Sequence, residues 1–411
     1  MTTIKQDAET IIQQVIHSSL PDTAVKNELK KIDLGNGNVY VVSIGKAGWT
    51  MAEAVQEILG KRITKGICIT KYGHVKEEIP EIVCYEAGHP VTDQNSIAST
   101  QKVIDLVQEC TKEDTILFLI SGGGSALFEK PLIPFEEYQD VNQQLLNCGA
   151  DIKEVNTVRK HLSAVKGGRF AQLCAPAKIE CIILSDVLGD EVDSIASGPA
   201  CADSSTSEDA FHIIEKYQLN VSKKAEEVLR LETPKQIDNV HTKIIGSVKI
   251  LCKEAEKVCT QLGYKTEVWK TDLSCEAKDA GEYFAKKAKE HYNDSKSYAL
   301  IAGGETVVHV TGNGKGGRNQ EMALACADGI LGFENVCFFS VGSDGTDGPT
   351  DAAGGIVTGK TKEKLAAENI SLLDKLNEHD SYNALKMCDG LVITGPTGTN
   401  VNDFSVLLVK K

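Results

Sequence analysis

The sequence predicts an α/β protein with two domains in which strands alternate with helices. In both halves of the chain, short apolar runs end in glycine-rich turns that lead into segments with helical periodicity. The 411 residues are more than one hydrophobic core comfortably supports. Thr233-Pro234 and the polar run after it place the boundary between domains 1–236 and 237–411, with the final strand free to pack back on the first domain.

Composition and charge limit the kind of partner. The content of 41% hydrophobic and 25% charged residues is typical of a soluble protein, and no apolar run is long enough for a membrane span. A net charge of −14 leaves no basic face for nucleic acid. The N-terminal segment is amphipathic and contains acids, so we expect no export signal and a cytoplasmic protein. We also expect a monomer or a homodimer.

The first strand, NVYVVSI (38–44), is followed by Gly45-Lys46-Ala47-Gly48 and then by helical periodicity. This is the opening unit of a doubly wound sheet, and such sheets bind ligands at the carboxyl ends of their strands. Lys46 is therefore placed where a bound anion would lie. The turn lacks the spacing of a P-loop, and a solvated surface lysine is the alternative.

The segment DTILFLISGGGSALFEKP (114–131) reads as a buried strand that turns directly into a helix. Consecutive glycines at such a turn indicate that a ligand approaches the backbone closely. Leu127 stands where a nucleophile elbow requires glycine, which excludes the serine-hydrolase reading. We expect this turn to cradle a phosphate or nucleotide through Ser121, Gly122, Gly123, Gly124 and Ser125.

Residues 151–172 form a helical, cationic segment that a glycine pair interrupts. A solvated helical face is the alternative, but Asn156 and Arg159 lie on one face, and we expect them and Lys160 to meet the substrate. The next apolar strand ends at Ser185-Asp186 and releases Asp190 into a loop. Acids just past a buried strand hold Mg²⁺ beside phosphate oxygens or orient a nucleophilic hydroxyl.

The second half contains a loop with four glycines, at 312, 314, 316 and 317, between a predicted strand (305–310) and a helix that opens at Arg318. Free N–H groups, the helix dipole, Lys315 and Arg318 predict an anion site, expected for phosphate, with Gly314, Gly317 and Asn319 as neighbours. A glycine-rich turn with two solvated cations is the alternative. The spacing also matches G-x-G-x-x-G, which would indicate a hydride-transferring enzyme.

A last acidic loop follows the apolar strand NVCFFSVG and contains Asp344, Asp347 and Asp351 among glycines. Turn chemistry alone does not account for so many carboxylates in so short a span. The spacing and closing glutamate of an EF-hand are absent. Asp344 and Asp347 are therefore predicted to bind Mg²⁺ or nucleotide.

Taken together, eight stretches resemble class II glycerate 2-kinases with a MOFRL-type C-terminal domain: SIGKAG, EAGHPV, LISGGGSAL, NTVRKHLSAVKGGR, LSDVLGDEVDSIASGP, GGETVVHVTGNGKGGRNQEMAL, GSDGTDGPTDAAGG and TGPTGTNVND. The resemblance implies a Rossmann-like, three-layer N-terminal domain, a smaller C-terminal α/β domain and an active-site cleft between them. It also implies phosphorylation of the 2-hydroxyl of D-glycerate by ATP, with Mg²⁺, to give 2-phosphoglycerate and ADP.

For that reaction we assign Lys46 and Arg318 to the glycerate carboxylate or the transferring phosphoryl group. Asp186 or Asp190 takes the base or orienting role. The alternatives left open are an NAD(P)H-dependent hydroxypyruvate reductase and a non-catalytic nucleotide-binding regulator. Phosphoryl transfer fits better, because positioning and charge neutralisation dominate its catalysis and the chain is rich in cations, acidic loops and glycine turns.

Overall fold

The computed structural model describes residues 3–411 and separates into two compact units. The first unit is Ala24–Ile245, and the second combines the described residues up to Thr23 with Gly246–Lys411. These units differ from the ranges predicted from the sequence, since the N-terminal helix belongs to the second unit and the first extends to residue 245. Whether pieces divided at residue 236 fold independently stays a prediction.

The strands, numbered along the chain, are β1 (Val39–Ile44), β2 (Ile63–Lys71), β3 (Ile82–Ala87), β4 (Thr115–Ile120), β5 (Lys178–Leu184), β6 (Val240–Gly246), β7 (Lys265–Leu273), β8 (Tyr298–Gly304), β9 (Val336–Gly342), β10 (Gly354–Thr358), β11 (Leu391–Val392) and β12 (Asp403–Val409). The α-helices are α1 (Ile4–Ser18), α2 (Pro21–Leu29), α3 (Gly48–Leu59), α4 (Gln94–Val107), α5 (Gly124–Leu127), α6 (Phe135–Asn147), α7 (Ile152–His161), α8 (Arg169–Cys174), α9 (Ser207–Lys216), α10 (Lys223–Leu229), α11 (Val248–Gln261), α12 (Ala277–His291), α13 (Arg318–Gly329), α14 (Thr361–Ala367), α15 (Leu372–Asn377) and α16 (Ser381–Met387).

The first unit contains a six-stranded sheet in the order β3-β2-β1-β4-β5-β6. The pairs β3–β2, β2–β1, β1–β4 and β4–β5 are parallel. All residues of β1 and β4 are buried, as expected for apolar strands in a sheet covered by helices. The sheet confirms the predicted doubly wound architecture, and its strand order reverses between β1 and β4.

The second unit contains a mixed six-stranded sheet in the order β11-β10-β9-β12-β8-β7. The final strand, β12, runs antiparallel to both β8 and β9. It therefore lies inside the second sheet, and whether it also packs on the first domain stays a prediction. Seven consecutive buried residues, Asp403–Val409, explain its central position.

The strand predicted at residues 305–310 does not form. The chain leaves the sheet after Gly304, and the only pairing of this stretch is an isolated bridge between Val307 and Glu276. β8 already pairs with β7 on one side and β12 on the other. The alternation of apolar and polar residues in this stretch therefore belongs to an extended loop.

Helix α1 is attached to the second unit through the buried carboxylate of Asp7. Its Oδ2 accepts hydrogen bonds of 2.7 Å from Tyr264 Oη and 2.7 Å from Lys410 Nζ. Burial and the neighbouring Asp7 raise the pKa of the Tyr264 phenol, which therefore stays a donor. Among residues 3–411, the helices all fall short of the length and apolarity that a membrane span needs.

Replacing Asp7 should destabilise the second unit, since Asp7→Ala leaves a buried phenol and a lysine without their acceptor. We expect the free energy of unfolding to fall by about 2–4 kcal/mol. The matched control is Glu9→Ala on the exposed face of the same helix, expected within about 0.5 kcal/mol. Urea titrations of both variants measure this, and equal losses would show that α1 is not held through Asp7.

Candidate functional site

The candidate site of the first unit lies where the strand order of its sheet reverses. β1 and β4 are neighbours, β5 is next to β4, and their parallel register puts the three carboxyl ends at one edge. The loops after these strands carry Lys46, the Ser121–Ser125 turn and Asp186. In doubly wound sheets ligands bind at this position. The structure thus brings together three groups that were predicted separately.

The glycine turn after β4 approaches its neighbours so closely that side chains are excluded. A Cβ on Gly122 would collide with the carboxylate of Asp186. A Cβ on Gly123 would lie 2.9 Å from His89 Nε2 and 3.3 Å from Lys46 Cγ, and Gly123 also has a φ of +86°. The consecutive glycines are therefore required by protein side chains that converge on the turn, which explains the pattern without a ligand.

Ser121 connects the two central loops. Its Oγ accepts a hydrogen bond of 3.1 Å from Ala47 N and donates one of 3.2 Å to Ile44 O, and the residue is buried. A backbone hydrogen bond connects the same two loops, since Lys46 N donates to Gly122 O at 2.8 Å. The Ser121 side chain thus holds the loops after β1 and β4 together, and its predicted contact with a ligand stays a prediction.

Lys46 and His89 flank the turn with different charge states. Among residues 3–411, no acidic side chain forms an ion pair with the half-buried Lys46 ammonium. Burial lowers the pKa of His89, and the nearby cations of Lys46 and Lys71 lower it further. His89 is therefore neutral near pH 7, and Lys46 supplies the positive charge beside the turn.

The start of α7 is fixed by Asp151, whose side chain accepts hydrogen bonds from the N–H groups of Lys153 and Glu154. On this helix Asn156 Oδ1 accepts from Ser197 Oγ at 3.2 Å, and Ser197 Oγ lies 3.1 Å from Ser125 Oγ. A chain of hydrogen bonds thus connects the predicted Asn156 to the predicted Ser125. Ser197 was not predicted as a site residue, because a serine in a Ser-Gly-Pro turn is ordinary.

The other two predicted cations of α7 are used by the protein. Lys160 is buried and pairs with Asp203 Oδ1 at 3.1 Å and Asp193 Oδ2 at 3.5 Å. A buried ammonium requires such partners, so these ion pairs support a structural role for Lys160, and its contact with the substrate stays a prediction. Arg159 Nε donates a hydrogen bond to Asn142 Oδ1, which leaves its terminal nitrogens available.

A buried ion pair below the glycine turn was not predicted. Lys166 Nζ lies 3.2 Å from Glu129 Oε2 and donates to Ser125 O and Phe128 O at 2.8 and 2.9 Å. Glu129 also accepts hydrogen bonds of 2.5 Å from Ser163 Oγ and Tyr138 Oη. Burial lowers the pKa of Lys166, and Glu129 opposes that shift. The pair holds the end of α5 in place.

In the second unit, the predicted phosphate site at the start of α13 is occupied by the protein's own Asp347. Its Oδ1 accepts from Asn319 N at 3.2 Å and its Oδ2 from Gln320 N at 2.8 Å. The two side-chain amides donate to the same oxygens at 3.3 and 3.0 Å. Asp347 thus caps the helix, and Asn319 contacts Asp347 and Ser340. The cap uses the N–H groups of Asn319 and Gln320, and binding of phosphate at this loop stays a prediction.

Arg318 lies between two carboxylates. Its Nε and Nη2 contact Asp403 Oδ2 and Oδ1 at 2.6 and 3.2 Å, and its Nη1 contacts Glu305 Oε1 at 2.9 Å. Burial raises the pKa of Asp403 to about 6, against the lowering effect of Arg318. The guanidinium is therefore fixed in direction, and about a third of its side chain is exposed.

The glycine loop of the second unit packs on the connection between α15 and α16. A Cβ on Gly312 would lie 2.5 Å from Glu378 O, one on Gly314 would collide with the same carbonyl, and one on Gly317 would collide with Asp347. Lys315 N donates to Asp380 Oδ1 at 3.1 Å, and its ammonium lies 4.3 Å from the centre of the Tyr382 ring. These protein contacts explain the glycine spacing without a dinucleotide.

The acidic loop offers few metal ligands. Asp344 is half-buried and its Oδ1 accepts from Thr346 N and Oγ1, while Asp351 accepts from Tyr382 Oη at 2.7 Å. Within residues 3–411, no group of three or more His, Cys, Asp or Glu side chains could hold a metal ion. The hydrogen bonds of Asp347 favour its capping role, and its role as a metal ligand stays a prediction.

The capping role predicts an effect on stability that does not depend on metal. In Asp347→Asn one oxygen is replaced by an amide group that faces donors, so the free energy of unfolding should fall by about 2 kcal/mol in EDTA. The control Asp351→Asn, on an exposed carboxylate of the same loop, should stay within about 0.5 kcal/mol. An unchanged stability of Asp347→Asn in EDTA would contradict the cap.

Family models match most of the chain. Residues 7–230 match a family described as a domain of unknown function (DUF4147), and residues 298–403 match the MOFRL family. A relative from Agrobacterium vitis, 36% identical over 98% of this chain and 94% of its own length, is named putative hydroxypyruvate reductase. This relative is less similar to the chain than the glycerate 2-kinase described next, which is 51% identical.

A protein named D-glycerate 2-kinase from Thermotoga maritima is 51% identical over 99% of this chain and 98% of its own length. The crystal structure of a glycerate kinase from the same organism superimposes with a TM-score of 0.95, covering 98% of this chain and 99% of that one. Because sequence identity, both family models and the fold agree over nearly the whole length, the chain belongs to the class II glycerate 2-kinase family.

Proposed function

We propose that the chain is a D-glycerate 2-kinase that transfers the γ-phosphoryl group of ATP to the 2-hydroxyl of D-glycerate. The observation that carries the proposal is that a cation without an ion pair among residues 3–411, a glycine turn and a carboxylate meet at one sheet edge of a member of this family. Lys46, Gly122–Gly124 and Asp186 provide these groups. Phosphoryl transfer needs charge neutralisation and alignment more than covalent chemistry, and these groups provide both.

The anion-binding part of this edge is Lys46 with the glycine turn. Among residues 3–411, the N–H groups of Gly122 and Gly123 donate no hydrogen bond. Successive free N–H groups around a residue with positive φ form a concave anion site. Together with the Lys46 ammonium, they would hold phosphate oxygens or the glycerate carboxylate. Lys160 is the weaker candidate, because it already pairs with Asp203 and Asp193.

The carboxylate that orients the 2-hydroxyl is assigned to Asp186 ahead of Asp190. Only the absence of a side chain at Gly122 lets the Asp186 carboxylate approach the turn. A carboxylate at this turn would accept the proton of the 2-hydroxyl group while the hydroxyl oxygen attacks the γ-phosphorus. Asp190 follows in the same loop with a φ of +60° and is the second candidate.

Magnesium is the metal that the family implies, and Asp344 fits it better than Asp347. Mg²⁺ in kinases retains waters and phosphate oxygens and takes only one or two protein carboxylates. The Oδ2 of Asp344 makes no hydrogen bond within residues 3–411, whereas both oxygens of Asp347 accept two each. When bound, Mg²⁺ would neutralise charge on the β- and γ-phosphates.

Arg318 is proposed as the second cation for the transferring group, with Asp403 and Glu305 holding it in position. This role requires the loops of both units to open onto one cleft. The shared cleft and its closure around substrate are part of the proposal. Cytoplasmic location and a monomeric or homodimeric state also stay predictions.

The reductase alternative has less support from the site. Its only sequence signal is G-x-G-x-x-G at Gly312, Gly314 and Gly317, and these glycines contact the protein's own backbone and Asp347. A non-catalytic regulator would not require that a carboxylate and a lysine approach the same glycine turn, as Asp186 and Lys46 do. ADP release with D-glycerate, compared with NADH oxidation in the presence of hydroxypyruvate, separates the three functions.

Removing the Lys46 ammonium should lower the rate of ADP release with D-glycerate by about 10²–10³-fold, because it neutralises charge in the transition state. The matched control is Lys65→Ala, an exposed lysine of β2 in the same unit, expected within about twofold. Turnover of Lys46→Ala within a few-fold of wild type would refute the assignment.

A magnesium titration distinguishes the two acidic roles. Asp344→Asn should raise the Mg²⁺ concentration needed for half-maximal activity by about tenfold, with most of the turnover recovered at saturation. Asp186→Asn should lower turnover about 10²-fold at every Mg²⁺ concentration. If the two variants show the opposite behaviour, the roles are exchanged.

A further inference from the structure

We infer that a cavity in the first unit, between the His89–Thr92 loop and helix α6, holds the adenine and ribose of the phosphoryl donor. This inference rests on the proposed function and adds a binding site to it. The cavity has a volume of about 460 Å³ and reaches the glycine turn at Gly123 and Ser125. Neither helix α6 nor the His89–Thr92 loop was predicted from the sequence to bind nucleotide.

The volume of the cavity fits the nucleoside of the phosphoryl donor better than it fits D-glycerate. Pockets that bury drug-sized ligands measure about 300–1,000 Å³, and this one lies in that range. D-Glycerate is a three-carbon acid and would leave most of the space empty. A nucleoside has the size that such a volume accommodates.

The walls combine apolar surface with amide groups. Val91 and Leu146 line the cavity and present apolar surface to it. Three carboxamides of α6 also line the cavity: Gln139, Gln143 and Asn142, of which Asn142 is already bonded to Tyr138 O and Arg159 Nε. A purine has apolar faces and a polar edge of donors and acceptors, and this wall offers partners for both.

The end of the cavity that reaches the glycine turn adjoins the proposed phosphate site. His89 and Gly123 line the cavity, and a Cβ on Gly123 would lie 2.9 Å from His89 Nε2 and 3.3 Å from Lys46 Cγ, so Lys46 lies at the same turn. A nucleoside in the cavity would therefore direct its phosphates along the glycine turn toward Lys46. Arg159 lies on the cavity wall with its Nε bonded to Asn142, so its terminal nitrogens can reach a ribose hydroxyl or a phosphate.

The test is Leu146→Asp, which puts a charge on the apolar wall of the cavity at an exposed position that tolerates substitution. We expect the KM for ATP and the Kd for a fluorescent methylanthraniloyl-ADP probe both to rise about tenfold, with the KM for D-glycerate within about twofold. Ile152→Asp is the matched control, because Ile152 is also exposed but lies outside the cavity. It should leave all three constants within about twofold.

Leu146→Ala supplies a second variant if the aspartate lowers the unfolding temperature, with an expected rise of about threefold in the Kd of the probe. An unchanged Kd in folded Leu146→Asp would overturn the inference even if the chain phosphorylates glycerate. A selective rise in the KM for glycerate would also overturn it. If wild type binds the probe in a Leu146-dependent way but releases no ADP with glycerate, the proposed function fails and the nucleoside cavity stands.

Discussion

The close approach of Asp186 to the turn after β4 is the constraint on which the candidate site depends. Gly122 has no room for a side chain, because the carboxylate occupies that space. The same turn is tied to the loop after β1 by Ser121 and supported from below by the Lys166–Glu129 ion pair. A cation and a carboxylate are thereby fixed on either side of a turn with free N–H groups.

Most of the other charges in these loops are neutralised by the protein itself. Asp347 occupies the start of α13, where the dipole and N–H groups would otherwise attract an anion. Lys160 is paired with Asp203, and Arg318 with Asp403. Buried charges need such partners, so Lys46, whose ammonium has none among the described residues, is the strongest candidate for meeting an external anion.

The local patterns predicted the fold well because each depends on neighbours along the chain. The apolar runs of β1 and β4 and the glycine turns after them required no knowledge of distant residues. By contrast, the pairing of Asp347 with α13 joins residues 27 and 28 positions apart, and that of Arg318 with Asp403 spans 85 positions. A single sequence does not show which acidic side chain pairs with which cation. A charged residue that forms an ion pair in the fold therefore cannot be distinguished, from the sequence, from one that faces solvent.

The central claim is that phosphoryl transfer takes place at the carboxyl edge of β1, β4 and β5. A crystal structure with ADP, D-glycerate and a trifluoromagnesate or beryllium fluoride mimic of the phosphoryl group tests it most directly. The account predicts that the mimic contacts Lys46 and the N–H groups of Gly122 and Gly123, with the 2-hydroxyl of glycerate beside Asp186. A mimic bound in the second unit alone, away from Lys46, would contradict it.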